Sequence, residues 1–205
     1  MDHRSIKRIY ALYSDVYDAI FKRFFYPRIS HALKVMEIKP DQRVLDVGVG
    51  TGLSLSLYPA HAKVVGIDLS AEMLKKARHK VSCEGLCHIN LIEMDGMNLS
   101  FKDDSFDKVF ISHFVSVVPD PYKAMREVKR VCKKGGDVVI VNHFRSTNRL
   151  MAVLERVFNP LTKRIGWRCD MSLDEFIKGA ALRVKKQYKL KKLDLWHLIF
   201  ATNEK

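Results

Sequence analysis

Short apolar runs recur through the middle of the chain, and the stretches between them change to a helical spacing. Runs such as Val44-Leu45-Asp46-Val47 and Val64-Val65-Gly66-Ile67 predict strands over 43–47, 63–67, 88–94, 106–112 and 136–141. The segments between them predict helices over 52–57, 70–83 and 121–131. Such alternation implies a doubly wound α/β fold, a mostly parallel sheet covered on both faces. Near the end, Leu182 to Leu190 and Leu193 to Ala201 alternate well enough for two antiparallel strands joined near Lys191-Lys192. The sheet would then have seven strands.

An amphipathic helix is expected ahead of the sheet, over 4–25. Ile6, Ile9, Tyr10, Tyr13, Val16, Tyr17, Ile20, Phe21 and Phe24 follow a helical stripe, with Arg4, Arg8, Asp15, Asp18 and Lys22 opposite. Pro27 should end or kink it, and Ile29 to Met36 should form a second helix broken by Pro40. The stripe reads either as a packed first helix or as an interfacial one lying in a lipid headgroup plane. A mobile lid would serve both. A further stripe, Leu150 to Leu161, is surrounded by basic residues and followed by Gly166-Trp167-Arg168. Trp167 suits a membrane-interface anchor or a pocket wall equally.

At 205 residues the chain is expected to be a single domain. Within it, 1–26 form the helix or lid, 41–141 the core, and 142–205 the substrate and membrane-facing part. The net charge of +13 divides as +4 over 1–40, +1 over 41–141 and +8 over 142–205. The excess therefore lies on the flanks, which suits an anionic partner or solubility. Cys83, Cys87, Cys132 and Cys169 are scattered, with neither zinc spacing nor a disulfide framework. No apolar leader and no bilayer-length apolar run is present. A cytoplasmic protein is expected, with no metal.

The chemistry starts at Asp46-Val47-Gly48-Val49-Gly50-Thr51-Gly52. Alternate glycines let the backbone approach a ligand where a Cβ would collide. A helix beginning near Thr51 would aim its free N–H groups at the same gap. Asp68 closes the second strand, where a carboxylate can accept from both hydroxyls of a ribose. These residues make a nucleoside site. Leu53 stands where a dinucleotide fingerprint needs glycine, and little chain remains for a second mononucleotide half.

With Asp46 ahead of Gly48, Gly50 and Gly52, the stretch resembles motif I of class I S-adenosylmethionine methyltransferases, which have a Rossmann-like fold. Asp68-Leu69-Ser70 with Met73 resembles their ribose-binding turn, and Asp95-Gly96, with Met97 next, their adenine-binding turn. Ser112 and His113 would close the cofactor site after the fourth strand. The chain as a whole resembles the bacterial phosphatidylethanolamine N-methyltransferases of the peripheral membrane type. The similarity covers Tyr17-Asp18, 47–55, 66–70, Ser116 to Pro121, Asn142-His143-Phe144 and Gly166-Trp167-Arg168. Ser-Val-Val-Pro-Asp-Pro and Asn-His-Phe are its more specific parts.

That resemblance implies N-methylation of the phosphatidylethanolamine headgroup, with S-adenosylhomocysteine as the other product. It implies attachment to an anionic membrane surface at the inner face of the cytoplasmic membrane. His143 would accept the amine's proton, and Tyr17 and Tyr13 would hold the ammonium. Asn142 would fix geometry, with Asp18 as a helper. The alternatives are a methyltransferase of a quinone or other small lipid, and a non-catalytic protein that binds cofactor and membrane. The basic residues come without a recognisable nucleic-acid module, so no nucleic-acid partner is expected.

Overall fold

The computed structural model describes residues 14–145, 171–191 and 194–205, with side chains from Arg23 onward. The stripe at 150–161, Trp167 and Cys169 therefore lie outside the described residues.

Seven strands form one sheet: β1 (Arg43–Val47), β2 (Lys63–Asp68), β3 (Ile89–Glu93), β4 (Phe106–Ser112), β5 (Cys132–His143), β6 (Arg183–Tyr188) and β7 (Trp196–Thr202). Their order is β3-β2-β1-β4-β5-β7-β6. The first five run parallel, and β7 pairs antiparallel with both β5 and β6. The chain reverses its winding between β1 and β4, so their carboxyl ends leave a crevice, the usual ligand position in an open α/β sheet.

Helices α1 (Ser14–Val35) and α2 (Ala71–Cys83) lie on one face, and α3 (Pro121–Val131) and α4 (Leu173–Gly179) on the other. Each face buries a continuous apolar layer. One joins Ile29 and Leu33 of α1 and Leu74 of α2 to Val44, Phe110 and Val141 of the strands. The other joins Met125 and Val128 of α3 and Phe176 of α4 to Leu45, Ile111 and Ile140. Near-continuous apolar strands are what a sheet covered on both sides demands. Asp120 caps α3 by accepting from the Lys123 amide at 2.9 Å, with Pro121 at the first helical position.

Three local expectations are corrected. Pro27 neither ends nor separates the first helix, because α1 runs through it to Val35. An internal proline costs about 3 kcal/mol or more, and the stripe Phe25, Ile29, Ala32, Leu33, Met36, all buried against the sheet, offsets that cost. Nor is 52–57 an α-helix. Only Leu55–Leu57 makes a 3-10 turn, because Gly50 and Gly52 hold positive φ and the chain must leave the loop sharply. Finally, β5 begins at Cys132 instead of 136, running through Gly135 and Gly136. The Gly136 carbonyl and the Gly135 amide pair with Asn203, whose side-chain amide also donates to the Lys129 and Cys132 carbonyls.

Candidate active site

The crevice at the strand tips is an open cleft. Its walls come from four places: the glycine loop after β1, the end of β2, the turn after β3 and the segment after β4. Of the residues expected to bind a cofactor, Gly48, Gly50, Asp68, Leu69, Met73, Asp95, Gly96, Ser112 and His113 line it.

The loop is fixed from beneath and from the side. The Gly48 and Val49 amides both donate to the Ile67 carbonyl at 2.9 Å, which ties the loop to β2. Asp68 accepts from the Gly50 amide at 2.8 Å and from the Ser70 amide at 2.9 Å. Its carboxylate is thus oriented by backbone on both oxygens while it borders the cleft. Asp95 is held likewise, accepting from the Met97 amide at 2.8 Å. Phe114 explains two glycines: a Cβ on Gly48 would fall 2.9 Å from its ring, and one on Gly96 2.6 Å. At Gly50 a Cβ would meet nothing within 4 Å, so the backbone there faces open space.

Three expected cofactor residues do not line the cleft. Asp46 is 1 % exposed and turned under the loop, accepting from Ser54 Oγ at 2.6 Å and Tyr58 Oη at 2.9 Å. It positions the loop without bordering the ligand space. Gly52 takes the turn itself, its φ of 84° placing a hypothetical Cβ 2.6 Å from Leu55 Cδ1. Met97 packs with Val118 and Ala124 behind the cleft, because its amide is turned back to cap Asp95.

The expected acceptor-side residues divide as well. His143 and Asn142 are buried but do not border the cleft. Asn142 accepts from Ser116 Oγ at 3.3 Å and donates to the His143 carbonyl at 2.7 Å. His143 stands opposite Trp196 in the β5–β7 register, with ring centroids 6.1 Å apart. His113, not His143, is the histidine at the cleft wall. Tyr13 lies outside the described residues, and Tyr17 and Asp18 are described only as backbone of α1.

Thr51, Ile67, Ser70, Met94, Phe114, Val117 and Val118 complete the lining. Ser70 was legible as the N-cap of α2, since its Oγ accepts from the Met73 amide. Phe114 carried no local signal: its role appears only once Gly48 and Gly96 are brought to face each other.

Burial pushes the Asp46 carboxyl up to about 6, with the Ser54 and Tyr58 bonds opposing the shift. The folded protein therefore binds this proton more tightly than the unfolded chain. Stability from this group is full below about pH 4 and is lost as pH rises to about 6, by roughly 3 kcal/mol. Denaturant unfolding between pH 4 and 7 should show that loss in the wild type relative to Asp46→Asn. Parallel pH profiles would contradict it.

Residues 45–140 match a family described as a methyltransferase domain. The phosphatidylethanolamine N-methyltransferase of Cereibacter sphaeroides is 44% identical over 146 residues, 71% of this chain and 72% of that protein. The chain belongs to the phosphatidylethanolamine N-methyltransferase family of class I methyltransferases. A demethylmenaquinone methyltransferase of Staphylococcus haemolyticus is 36% identical over 132 residues, 62% of this chain. The chain spans about half, 53%, of that relative's length. In fold it is similar to a Haloferax volcanii methyltransferase solved with the Trm112 activator, with TM-score 0.79, 18% identity and 98% of each chain covered.

As a class I methyltransferase the protein uses S-adenosylmethionine, and the cleft fits it. Asp68, with both oxygens backbone-oriented, would take the ribose hydroxyls and Asp95 the adenine amine, and the backbone at Gly50 leaves room for the ligand. Bound there, the cofactor supplies an electrophilic methyl group on a sulfonium. The protein's part is to hold it, exclude water and present the acceptor.

Proposed function

We propose that this methyltransferase acts on the amine of phosphatidylethanolamine at an anionic membrane surface. The observation that carries the reading is the helix packed against the cleft wall. Phe25 of α1 packs on His113 at the tip of β4, ring centroids 3.9 Å apart, so α1 would roof an acceptor bound there. The preceding residue, Phe24, is 51 % exposed, and Arg23 beside it is exposed too. An outward aromatic next to an arginine, on the helix that covers the acceptor, suits insertion among lipid headgroups. The flanking positive charge adds about 1 kcal/mol for each Lys or Arg near an anionic leaflet. Among the described residues no helix is long and apolar enough to cross a membrane.

The amine must shed a proton first. With a pKa near that of Lys, about 10.4, exposing its lone pair at pH 7 costs roughly 4–5 kcal/mol. Positioning of the reacting pair supplies up to about 7–11 kcal/mol, and a water-poor cleft lowers the amine's pKa. The nitrogen then forms the N–C bond as the S–C bond breaks, and that electron pair stays on sulfur. A quinone acceptor is the second reading, favoured by the demethylmenaquinone methyltransferase relatives.

Labelled S-adenosylmethionine with mixed phosphatidylethanolamine and anionic vesicles should yield labelled N-methylated phosphatidylethanolamine. Phe24→Asp should slow that reaction on vesicles and spare it on a short-chain, soluble phosphatidylethanolamine. Label entering demethylmenaquinone alone would overturn the amine reading, and equal vesicle rates would overturn the role of Phe24.

A further inference from the structure

Buried polar atoms without partners are uncommon and costly, about 1–3 kcal/mol each. Three of them gather beside the cleft. Ser112 Oγ, His113 Nε2 and Trp196 Nε1 are shielded from water and have no hydrogen-bond partner among the described residues. Ser112 and His113 are consecutive at the end of β4, and the His113 and Trp196 rings are 6.3 Å apart. His113 also holds φ 56°, left-handed backbone that costs a non-glycine residue roughly 1–3 kcal/mol. Unmet polar atoms and backbone strain thus coincide at one spot on the cleft wall.

One apolar ring covers that spot. Phe25 lies 3.9 Å from the His113 ring and 5.3 Å from the Trp196 ring, centroid to centroid. A phenyl group offers neither atom a hydrogen bond, so its contacts leave both costs standing. It arrives on α1, the element that exposes Phe24 at the adjoining position.

We propose that His113 and Trp196 form the subsite for the acceptor's amine headgroup, and that Phe25 occupies this subsite until the roof helix lifts. His113 Nε2 accepts from an N–H of the amine, and Trp196 Nε1 donates to an oxygen of the same headgroup. The nitrogen's lone pair is left pointing into the cleft. Nearby charge agrees with this chemistry. Burial first, then the positive charge of Arg28 and the neighbouring His143, push His113 down to about 3. The imidazole is therefore neutral, and the same burial disfavours the charged form of an amine. While Phe25 is seated, Arg28 of the same helix lies over the Trp196 ring, 4.4 Å from its centroid, paired with Asp194, and lifting the helix moves the two together. The subsite rests on the amine reading of the acceptor and adds its residues.

Neutral primary and secondary amines carry an N–H; a neutral tertiary amine carries none. The test measures binding of dihexanoyl phosphatidylethanolamine and its N,N-dimethyl analogue to protein saturated with S-adenosylhomocysteine. A Trp167→Phe background leaves the emission of Trp196 as the reporter. Phe25→Ala should bind both lipids several-fold more tightly than its parent. Adding His113→Phe should weaken the primary amine about tenfold and leave the dimethyl analogue within about twofold. Equal losses for the two lipids, or unchanged or weaker binding in Phe25→Ala, would overturn the subsite. If the wild type methylates phosphatidylethanolamine while these variants bind as it does, only the subsite fails. If no variant binds either lipid and label enters a quinone, the amine reading fails and the subsite with it.

Discussion

Asp68→Ala should lower affinity for S-adenosylhomocysteine by at least about a hundredfold, measured by calorimetry, while the protein remains folded. The carboxylate sits at the end of β2, half-buried, with one oxygen held by the Gly50 amide and the other by the Ser70 amide. Each hydrogen bond to a charged group is worth about 1.5–3 kcal/mol, and a ribose offers two hydroxyls. Two such bonds amount to at least about 3 kcal/mol, or a hundredfold at about 1.4 kcal/mol per tenfold. The loss reaches further than the ribose, because Asp68 also ties the glycine loop to the start of α2. Asp68→Asn keeps shape and one acceptor oxygen, so it should fall between wild type and alanine. Unchanged affinity in the alanine variant would remove Asp68 from the cofactor site.

Asp68 was legible because the features that mark it are local: an apolar strand, an acidic terminus and a glycine loop about twenty residues before it. The same holds for Asp95 at the tip of β3, and for the parallel order implied by alternating strands and helices. What misled was direction and distance. Asp46 precedes the first glycine of the loop, and only the fold shows its side chain turned down to Ser54 and Tyr58. Pro27 reads locally as a break, yet a buried stripe reaching from Phe25 to Met36 carries the helix through it. The sequence stripe put Phe24 on the apolar face and omitted Phe25. The structure buries Phe25 and exposes Phe24, which divides α1 between a face for the protein and a residue for its surroundings. The Asn-His-Phe context favours His143; the structure buries it opposite Trp196, while His113 lines the cleft. Phe114, Val117 and Val118 follow the fourth strand, where an open α/β sheet meets its ligand, but which side chains of that segment line the cleft depends on the path of the chain. None of these could be read from spacing alone, because each depends on which way a side chain leaves the backbone.

Among the described residues an ion pair, Arg28 with Asp194, ties the roof helix to the start of the last strand, and breaking it should cost substantial stability. Arg28 on α1 donates through Nε to both oxygens of Asp194, at 3.0 and 2.8 Å, and through a terminal nitrogen at 2.6 Å. The Asp194 side chain is 1 % exposed and that of Arg28 14 %. The backbone amide of Trp196 also reaches the same carboxylate, at 3.3 Å. Asp194 thus joins the helix above the cleft to the start of the last strand. Asp194→Ala leaves a guanidinium shielded from water without its counter-charge, a change that costs about 3–5 kcal/mol in buried pairs. Since Arg28 keeps some exposure, the lower end of that range is expected in urea unfolding. Removing both charges should cost less than removing one: Arg28→Met in the Asp194→Ala background should recover much of the loss, because no uncompensated charge is left buried. A double variant as unstable as Asp194→Ala would mean that the pair holds the roof by shape and hydrogen bonding instead of by charge balance.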